Sequence, residues 1–147
     1  MVPSIKRCDP LKSQLLTPKD RRWLELTRRV ALKSNFMKKQ VGIILVRGNK
    51  ILAEGFNKLS HPKILNYPGI DGLHYFSLHA EVAALASAVD VKKATAYLYA
   101  YKRSSQTSHP GNAKPCPLCE IYLRKRGINR AVFTTPFGGI GTEIYDN

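Results

Sequence analysis

Two short segments carry the residues of this chain most capable of chemistry, His79-Ala80-Glu81 and Pro115-Cys116-Pro117-Leu118-Cys119. The first supplies a histidine and, two residues later, a glutamate; the second supplies two cysteines at positions i and i+3. One imidazole nitrogen and two thiolates are typical zinc ligands, and three protein ligands leave the fourth tetrahedral position open, as in catalytic zinc sites. We therefore predict that His79, Cys116 and Cys119 bind Zn²⁺.

Glu81 is predicted to handle protons rather than to act as a fourth ligand, because zinc acidifies a bound water to near neutral pH and a carboxylate beside it can accept the proton. Each half of the pattern has an ordinary alternative. A histidine in an alanine-rich helix is usually a core residue, and a single C-x-x-C also occurs in redox motifs and half zinc ribbons. A ribbon needs a second cysteine pair, whereas Cys8 is the one further cysteine.

Length and composition place limits on the class of protein. The 147 residues suit a single compact domain with one hydrophobic core. No apolar run approaches the roughly 20 residues of a membrane span, and the polar first ten residues do not resemble a signal peptide. Three cysteines, two of them assigned to metal, indicate a reducing compartment. We expect a cytoplasmic protein with no membrane contact.

The net charge of +14 is uneven, since residues 1–40 carry +8 of it. Such a balance attracts phosphate, either on a free nucleotide or along a polynucleotide. A basic surface that contacts only solvent would have the same composition, so charge alone does not distinguish these alternatives.

A first helix is predicted from Thr17, a suitable N-cap followed by Pro18, to about Lys39. Its apolar residues recur at helical spacing, at Trp23, Leu24, Leu26, Val30, Ala31 and Met37. Residues 1–16 contain two prolines and no clear period, and we interpret them as an N-terminal arm before a single domain over 17–147.

Five strands follow from runs of apolar, β-branched and aromatic residues, at 41–46, 51–56, 95–101, 131–134 and 142–145. The first two form a hairpin. About a dozen residues separate Phe133 from Tyr145, too few for a helical crossover, so the last two strands should be antiparallel.

Two long loops are predicted. The first, 58–77, is expected to cover the pocket because structureless loops of this length are often functional; it carries His61, Tyr67, His74, Tyr75 and Phe76. The second, 102–114, is basic and polar. Its Lys102 and Arg103 are candidate substrate-binding residues, since they favour a phosphate on the substrate.

Two further helices are predicted to begin at the chemical residues. Ser77 is a suitable N-cap for a buried helix over 78–89, and Cys116 opens a helix that Gly127 ends. The element order is therefore αββαβαββ. Both metal half-sites fall at helix N-termini, where free N–H groups and the helix dipole favour thiolate over thiol.

The pattern H-x-E followed by P-C-x-x-C, in this element order, resembles the zinc-dependent cytidine deaminase superfamily, which includes deoxycytidylate, tRNA adenosine and polynucleotide cytidine deaminases. The resemblance covers roughly Gln40 to Tyr145, with the helix from Thr17 as the customary first helix. It implies an α/β fold of three α/β/α layers around a mixed five-stranded sheet, with residues 17–147 as the catalytic domain.

The resemblance also implies roles for individual residues: zinc ligation by His79, Cys116 and Cys119, proton transfer by Glu81, a sugar contact by Asn57 and a base contact by the peptide N–H of Ala80. The implied chemistry is attack of zinc-bound hydroxide on C4 of cytosine, or C6 of adenine, while Glu81 moves protons to the ring nitrogen and the departing ammonia.

The substrate is less determined. The antiparallel end of the sheet resembles free-cytidine deaminases and certain toxin-type deaminases, whereas the long insertion before His79 resembles deoxycytidylate deaminases and the basic 102–114 segment favours a phosphate. We favour deamination of a cytosine nucleoside or nucleotide, specifically dCMP to dUMP. The superfamily also suggests a homo-oligomer, by analogy alone.

Two alternatives stay open. One is a cytosine or adenine deaminase acting on single-stranded DNA or RNA, including tRNA, with bases stacking on Tyr99, Tyr101 and Phe133. The other is a non-catalytic zinc-stabilised module that binds nucleic acid, for which Glu81 would have no use.

Overall fold

A computed structural model describes residues 16–59, 77–103 and 108–145. Of the N-terminal arm predicted for 1–16, all but Leu16 lies outside the described residues, as do Cys8 and the central part of the 58–77 loop. None of the helices in the described ranges is long and apolar enough to cross a lipid bilayer.

Helix α1 spans Pro18–Ala31 and begins as predicted, with Thr17 and Asp20 forming a reciprocal capping box. Its predicted end near Lys39 is wrong. Leu32 closes the helix, and the Ser34 hydroxyl accepts a hydrogen bond from the Phe36 amide, a local bond that competes with helix continuation. Met37, expected on the packing face, is consequently 51% exposed.

The remaining helices and strands follow the predicted order with three additional strands, β3, β4 and β6. Strands β1 and β2 form the expected hairpin, and two-residue strands β3 and β4 pair with each other at the ends of the 58–77 segment. The bounds are β1 Lys39–Arg47, β2 Lys50–Phe56, β3 Lys58–Leu59, β4 Ser77–Leu78, α2 Ala80–Ser87, β5 Thr95–Arg103, β6 Ser108–Gly111, α3 Pro117–Lys125, β7 Arg130–Thr134 and β8 Ile140–Ile144.

The main sheet has the order β2-β1-β5-β7-β8. Among the described strands, only the β5–β7 pair is parallel, and β8 returns antiparallel to β7. The predicted mixed five-stranded sheet and its antiparallel end are therefore confirmed. The fold class is confirmed with them. A sixth strand, β6, pairs with the far end of β5 beyond β7.

Strand β6 shows that the prediction of one continuous loop over 102–114 is wrong. β5 continues to Arg103, and β6 returns along it with Ala100 opposite Gly111. The hydroxyl of Thr134, at the end of β7, connects β5 and β6. It accepts a hydrogen bond from the Ala100 amide of β5 at 3.1 Å and donates one to the Gly111 carbonyl of β6 at 2.8 Å. Residues 104–107 lie outside the described ranges.

Alternation along the strands divides the core between two faces. On one face of the sheet, Ile44 and Tyr97 pack with Leu24 of α1. On the other face, which α2 and α3 cover, Ile43 and Leu98 share a core cluster with Leu123 of α3. The chain therefore forms the predicted three layers, and the residues that could do chemistry lie on the α2–α3 side.

A buried charge pair ties α1 to the sheet. Asp20 is 3% exposed, and its carboxylate accepts two hydrogen bonds from Arg130 at 3.0 and 2.9 Å and one from the Tyr97 hydroxyl. Burial alone would raise the pKa of Asp20, but the bonds from Arg130, Tyr97 and the Thr17 amide outweigh it and hold that pKa well below its usual range.

Asp20→Asn should lower the free energy of unfolding of the metal-free protein by about 3 kcal/mol at pH 7, because it leaves Arg130 partly buried without its counter-ion. A carboxylate with a lowered folded-state pKa stabilises fully above its unfolded pKa of about 3.9 and loses that effect as pH falls through the folded-state value. The difference in free energy of unfolding between wild type and variant, measured by urea titration, should therefore become smaller below about pH 4.

Glu25→Gln is the control, because it breaks an exposed salt bridge with Arg28. It should lower the free energy of unfolding by at most about 0.5 kcal/mol. Equal decreases for Asp20→Asn and Glu25→Gln would contradict the stabilising role of the buried pair.

Candidate metal centre and active site

Helix α2 brings the first half-site to the sheet. Its N-cap is His79, whose side chain makes no capping hydrogen bond. The prediction that Ser77 caps this helix is wrong, since Ser77 pairs with Leu59 in the β3–β4 ladder. Helix α2 lies against β2 at Gly55, where a Cβ atom would approach the Ala84 nitrogen to 2.5 Å and the Ala80 oxygen to 2.6 Å.

Helix α3 supplies the second half-site. Cys116 is its N-cap, with extended backbone that Pro117 then turns into the helix. The Cys116 sulfur accepts a hydrogen bond from the Cys119 amide at 3.4 Å. A sulfur in this position lies at the positive end of the helix dipole, which stabilises the thiolate.

Helices α2 and α3 both begin at the site, because their N-caps are His79 and Cys116. Arg126, at the C-terminal end of α3, donates hydrogen bonds to the carbonyls of Leu85 and Ala88 at the C-terminal end of α2, at 3.1 and 3.0 Å. An arginine there satisfies the last carbonyls of a helix and complements its dipole. This bridge holds the C-termini together while both N-termini face His79 and the cysteines.

The three predicted ligands converge as the sequence suggested. The His79 Nδ1 atom lies 3.4 Å from the Cys119 sulfur and 3.9 Å from the Cys116 sulfur, and all the donor atoms lie within 4.8 Å of one another. Tetrahedral zinc with ordinary bond lengths needs donor separations of about 3.6 Å for N to S and about 3.8 Å for S to S. The donor set and its spacing therefore fit zinc.

The protonation states of these ligands depend on burial. Burial, followed by the nearby charge of Lys39, lowers the pKa of His79 and keeps the imidazole neutral, the form that binds metal. Burial raises the pKa of the Cys119 thiol, and the neighbouring Glu81 and Cys116 raise it further. A coordinated divalent cation reverses that shift, since a coordinating thiol is deprotonated.

Glu81 lies in the first turn of α2 and is 6% exposed. Burial raises the pKa of its carboxyl, while a hydrogen bond from its own backbone amide and the charge of Lys39 act in the opposite direction. A carboxyl with a raised pKa can both accept and return a proton near neutral pH, which is the requirement for a proton shuttle.

One cavity, of about 350 Å³, joins these groups; it is lined by Phe36, Lys39, Val41, Asn57, His79, Ala80, Glu81, Asn112, Ala113, Lys114 and Cys116. A larger cavity of about 490 Å³ lies beside Asp20 and Arg130, which already satisfy each other. Of the two cavities, the smaller one is therefore the one in which metal ligands, His79 and Cys116, meet a buried carboxyl, that of Glu81.

Asn57 and Ala80 both line the cavity. The Asn57 amide is also tied to β1, because its oxygen accepts from the Val41 amide at 2.9 Å and its nitrogen donates to the Lys39 carbonyl at 2.8 Å. The sugar contact of Asn57 and the base contact of the Ala80 N–H stay predictions.

The predicted pair Lys102 and Arg103 is divided by the sheet. Lys102 is directly opposite Lys39 across β1 and β5, on the α2–α3 face. Arg103 points to the other face, where its Nε atom donates to the Gln40 oxygen at 3.1 Å. Because consecutive strand residues face opposite sides, Arg103 does not line this cavity. Substrate binding by Lys102 and Arg103 stays a prediction from the sequence.

Sequence reasoning missed Lys39, which it assigned to the end of the first helix. Lys39 instead begins β1 and lines the cavity. Asn112 and Lys114 also line the cavity and were not predicted. The available signal was the apolar run that begins at Val41, because a strand extended two residues before it places Lys39, Val41 and Ile43 on one face.

The aromatic residues considered for base stacking do not gather at the cavity. Tyr99 and Tyr101 form a tilted ring pair with centroids 6.5 Å apart, and they share the parity of Tyr97 on the α1 face. Phe133 lies on the α2–α3 side but is 6% exposed within the core.

Comparison with known proteins agrees with the site. The family model of the cytidine and deoxycytidylate deaminase zinc-binding region matches residues 17–135, which is most of the chain. The chain belongs to this family. The expected zinc cofactor is confirmed at that level, because the family's zinc-binding region contains all three converging ligands.

Individual relatives are more distant. The deoxycytidylate deaminase of Schizosaccharomyces pombe is 28% identical over 145 residues, covering 86% of this chain and 42% of that protein. The chain thus spans about two fifths of this relative. Two solved structures share the fold. The apo dCMP deaminase of cyanophage S-TIM5 is 21% identical in sequence, with a TM-score of 0.57 over 82% of this chain and 86% of that chain. The cytidine deaminase of Burkholderia pseudomallei is 18% identical, with a TM-score of 0.58 over 88% of this chain and 93% of that chain.

Removing a zinc ligand should abolish stable metal binding. Cys119→Ser and His79→Ala, purified from zinc-supplemented cultures, should retain less than about a tenth of the metal of the wild type, because zinc sites depend on every ligand. Elemental analysis by mass spectrometry measures this. Cys8→Ser serves as the control and should keep a full zinc complement; loss of zinc in that variant would show that the ligand set is incomplete.

Gly55→Ala should weaken zinc binding through the backbone. The added methyl group would press on the backbone of α2, and such overpacking costs about 1–3 kcal/mol of stability. Gly42→Ala is the matched control, since its Cβ would meet the Ala31 nitrogen of α1 at 2.5 Å on the opposite face. Chelator competition should show lower zinc affinity for Gly55→Ala alone; equal affinities would contradict a role of this contact in placing His79.

Proposed function

We propose that this chain catalyses the hydrolytic deamination of a cytosine nucleotide, converting dCMP to dUMP. The observation that carries the proposal is the combination of His79, Cys116 and Cys119 within ligand distance of one another and the buried carboxyl of Glu81 in the same cavity. A structural zinc site would bind the metal with a closed set of ligands and would have no use for a buried acid beside it.

Each residue has a defined task in this reaction. Bound zinc supplies Lewis-acid activation of a water molecule. Glu81 accepts one proton from that water and donates it to N3 of the cytosine ring as the water oxygen bonds to C4. Glu81 then takes the remaining proton from the oxygen on C4 and donates it to the amino group, so that the C4–N bond breaks, ammonia leaves and a C4 carbonyl forms. The low exposure of Glu81 keeps bulk solvent from competing for the proton.

Two residues are placed to orient the substrate. The Ala80 amide lies at the start of α2, where N–H groups lack partners within the helix and can donate to the base. Asn57 lines the same cavity from the end of β2 and can contact the sugar. Their positions on a helix terminus and a strand end give the rigid placement that orientation requires.

The choice of a nucleotide over a nucleoside has two supports. The relative from S. pombe is named deoxycytidylate deaminase, and a structure of the cyanophage dCMP deaminase, which shares the fold, was solved with dCMP and dUMP. Within this chain, Lys39 lines the cavity and supplies positive charge, whereas Lys114, which also lines it, is paired with Glu143 at 3.2 Å. Phosphate is the anionic group that such a lining favours.

Action on single-stranded DNA or RNA is a less favoured alternative. The residues expected to stack on bases, Tyr99 and Tyr101, lie on the sheet face opposite the zinc ligands. This tyrosine pair therefore cannot stack on the bases of a polynucleotide whose target base lies in the cavity. Homo-oligomerisation and a cytoplasmic location remain predictions from the sequence.

Glu81→Gln should reduce dCMP turnover by about 10³-fold with the zinc content unchanged, because an amide of the same shape cannot transfer the proton. A coupled assay for ammonia release measures the rate. Glu120→Gln is the control, since Glu120 lies in the first turn of α3 but pairs with Arg124 at 3.0 Å outside the cavity; it should keep wild-type turnover. Equal activity of Glu81→Gln and wild type would refute the proton shuttle.

A further inference from the structure

Among the described residues that line the cavity, Lys39 is the lysine that is partly buried and forms no salt bridge with a described carboxylate. Among the described residues, Lys33 and Lys114 form salt bridges with Glu54 and Glu143 at 3.0 and 3.2 Å. Within residues 16–59, 77–103 and 108–145, no salt bridge involves the Lys39 ammonium. Its charge is therefore available to an anion that enters the cavity.

A second lysine makes this position more favourable for an anion. Lys39 and Lys102 are direct cross-strand partners, and like charges placed opposite each other destabilise a sheet. Burial, followed by repulsion from Lys102, lowers the pKa of Lys39, with Glu81 acting in the opposite direction. A bound anion would relieve that repulsion. The pair therefore favours a negatively charged ligand beside Lys39, which lines the cavity, while Lys102 is its cross-strand partner outside the lining.

The backbone at Lys39 is held in place independently of any ligand. The Asn57 side chain donates to the Lys39 carbonyl at 2.8 Å, and the Asn57 amide donates to the Val41 carbonyl at 3.0 Å. These bonds fix the start of β1 against the end of β2. A lysine on a fixed strand loses less entropy on binding than one on a free loop.

We propose that Lys39, with Lys102 beside it, binds the 5′-phosphate of a free cytosine nucleotide and makes this chain select nucleotides over nucleosides. The inference rests on the proposed function and adds the residue that determines the class of substrate. Arg103 and Lys114 do not share the role: Arg103 lies on the other face of the sheet, and Lys114 is paired with Glu143.

The test compares catalytic efficiency with dCMP, with deoxycytidine and with a cytosine-containing single-stranded oligonucleotide. Lys39→Met should lower the ratio of kcat/KM for dCMP to kcat/KM for deoxycytidine about 10- to 100-fold, the range for losing a hydrogen bond to a charged group. Lys39→Arg should recover most of the loss. The control Lys38→Met removes the adjacent lysine, which does not line the cavity, and should behave as wild type.

Three outcomes overturn the inference. Equal losses for dCMP and deoxycytidine would show that Lys39 acts on the chemistry through Glu81. Equal kcat/KM values of the wild type for dCMP and deoxycytidine would show that the protein does not recognise the phosphate. A Lys39-dependent preference for the oligonucleotide would assign the phosphate to a polymer.

A binding measurement separates this inference from the deaminase proposal. Zinc-loaded Glu81→Gln protein, titrated calorimetrically, should bind dCMP more tightly than deoxycytidine, and adding Lys39→Met should remove the difference. If wild type deaminates neither substrate but this Lys39-dependent preference is measured, the phosphate inference stands and the proposed reaction fails. If the calorimetric preference is absent, the phosphate inference fails whatever the activity.

Discussion

The close contact between helix α2 and strand β2 is the constraint on which the site depends. At Gly55 the helix backbone lies so near the strand that a methyl group would not fit. This contact sets the position of the first turn of α2, and so of His79 and Glu81. Because Ala80 and Ala84 present only small side chains to the strand, the helix can approach this closely. A larger residue at any of these positions would move the imidazole relative to the cysteines.

The second requirement is that two helices from distant parts of the chain begin at the same point. The parallel β5–β7 pair places α3 beside α2 on one face of the sheet, and Arg126 connects their C-terminal ends. Both N-termini then converge, so their dipoles add where thiolates must be stabilised. The same geometry leaves a cavity bordered by β1. A strand residue, Lys39, therefore supplies positive charge there that forms no salt bridge within the part of the chain the structure describes.

Local signals in the sequence were sufficient to predict which side chains come together, namely His79, Cys116, Cys119 and Glu81, and the order of the main helices and strands. The roles of these side chains stay proposals. Thr17-Pro18 and Cys116-Pro117 are strong helix starts, and the short connection from β7 to β8 permits only an antiparallel return. The errors arose where tertiary pairing overrode local pattern. Residues 32–39 have helical composition but turn and enter β1, and the basic stretch after Tyr101 is drawn into the β5–β6 ladder. Since strand parity depends on such pairing, the sequence could not show that Arg103 faces away from the cavity while Lys39 faces it.

Oxygen-isotope transfer tests the central claim most directly. Zinc-loaded protein incubated with dCMP in water enriched in oxygen-18 should form dUMP that carries one heavy oxygen at C4, with an equal amount of ammonia, because the mechanism adds solvent oxygen as the amino group leaves. Mass spectrometry of the product measures both the conversion and the label. Unchanged dCMP in the presence of stoichiometric zinc would contradict the account, as would dUMP formed without the label.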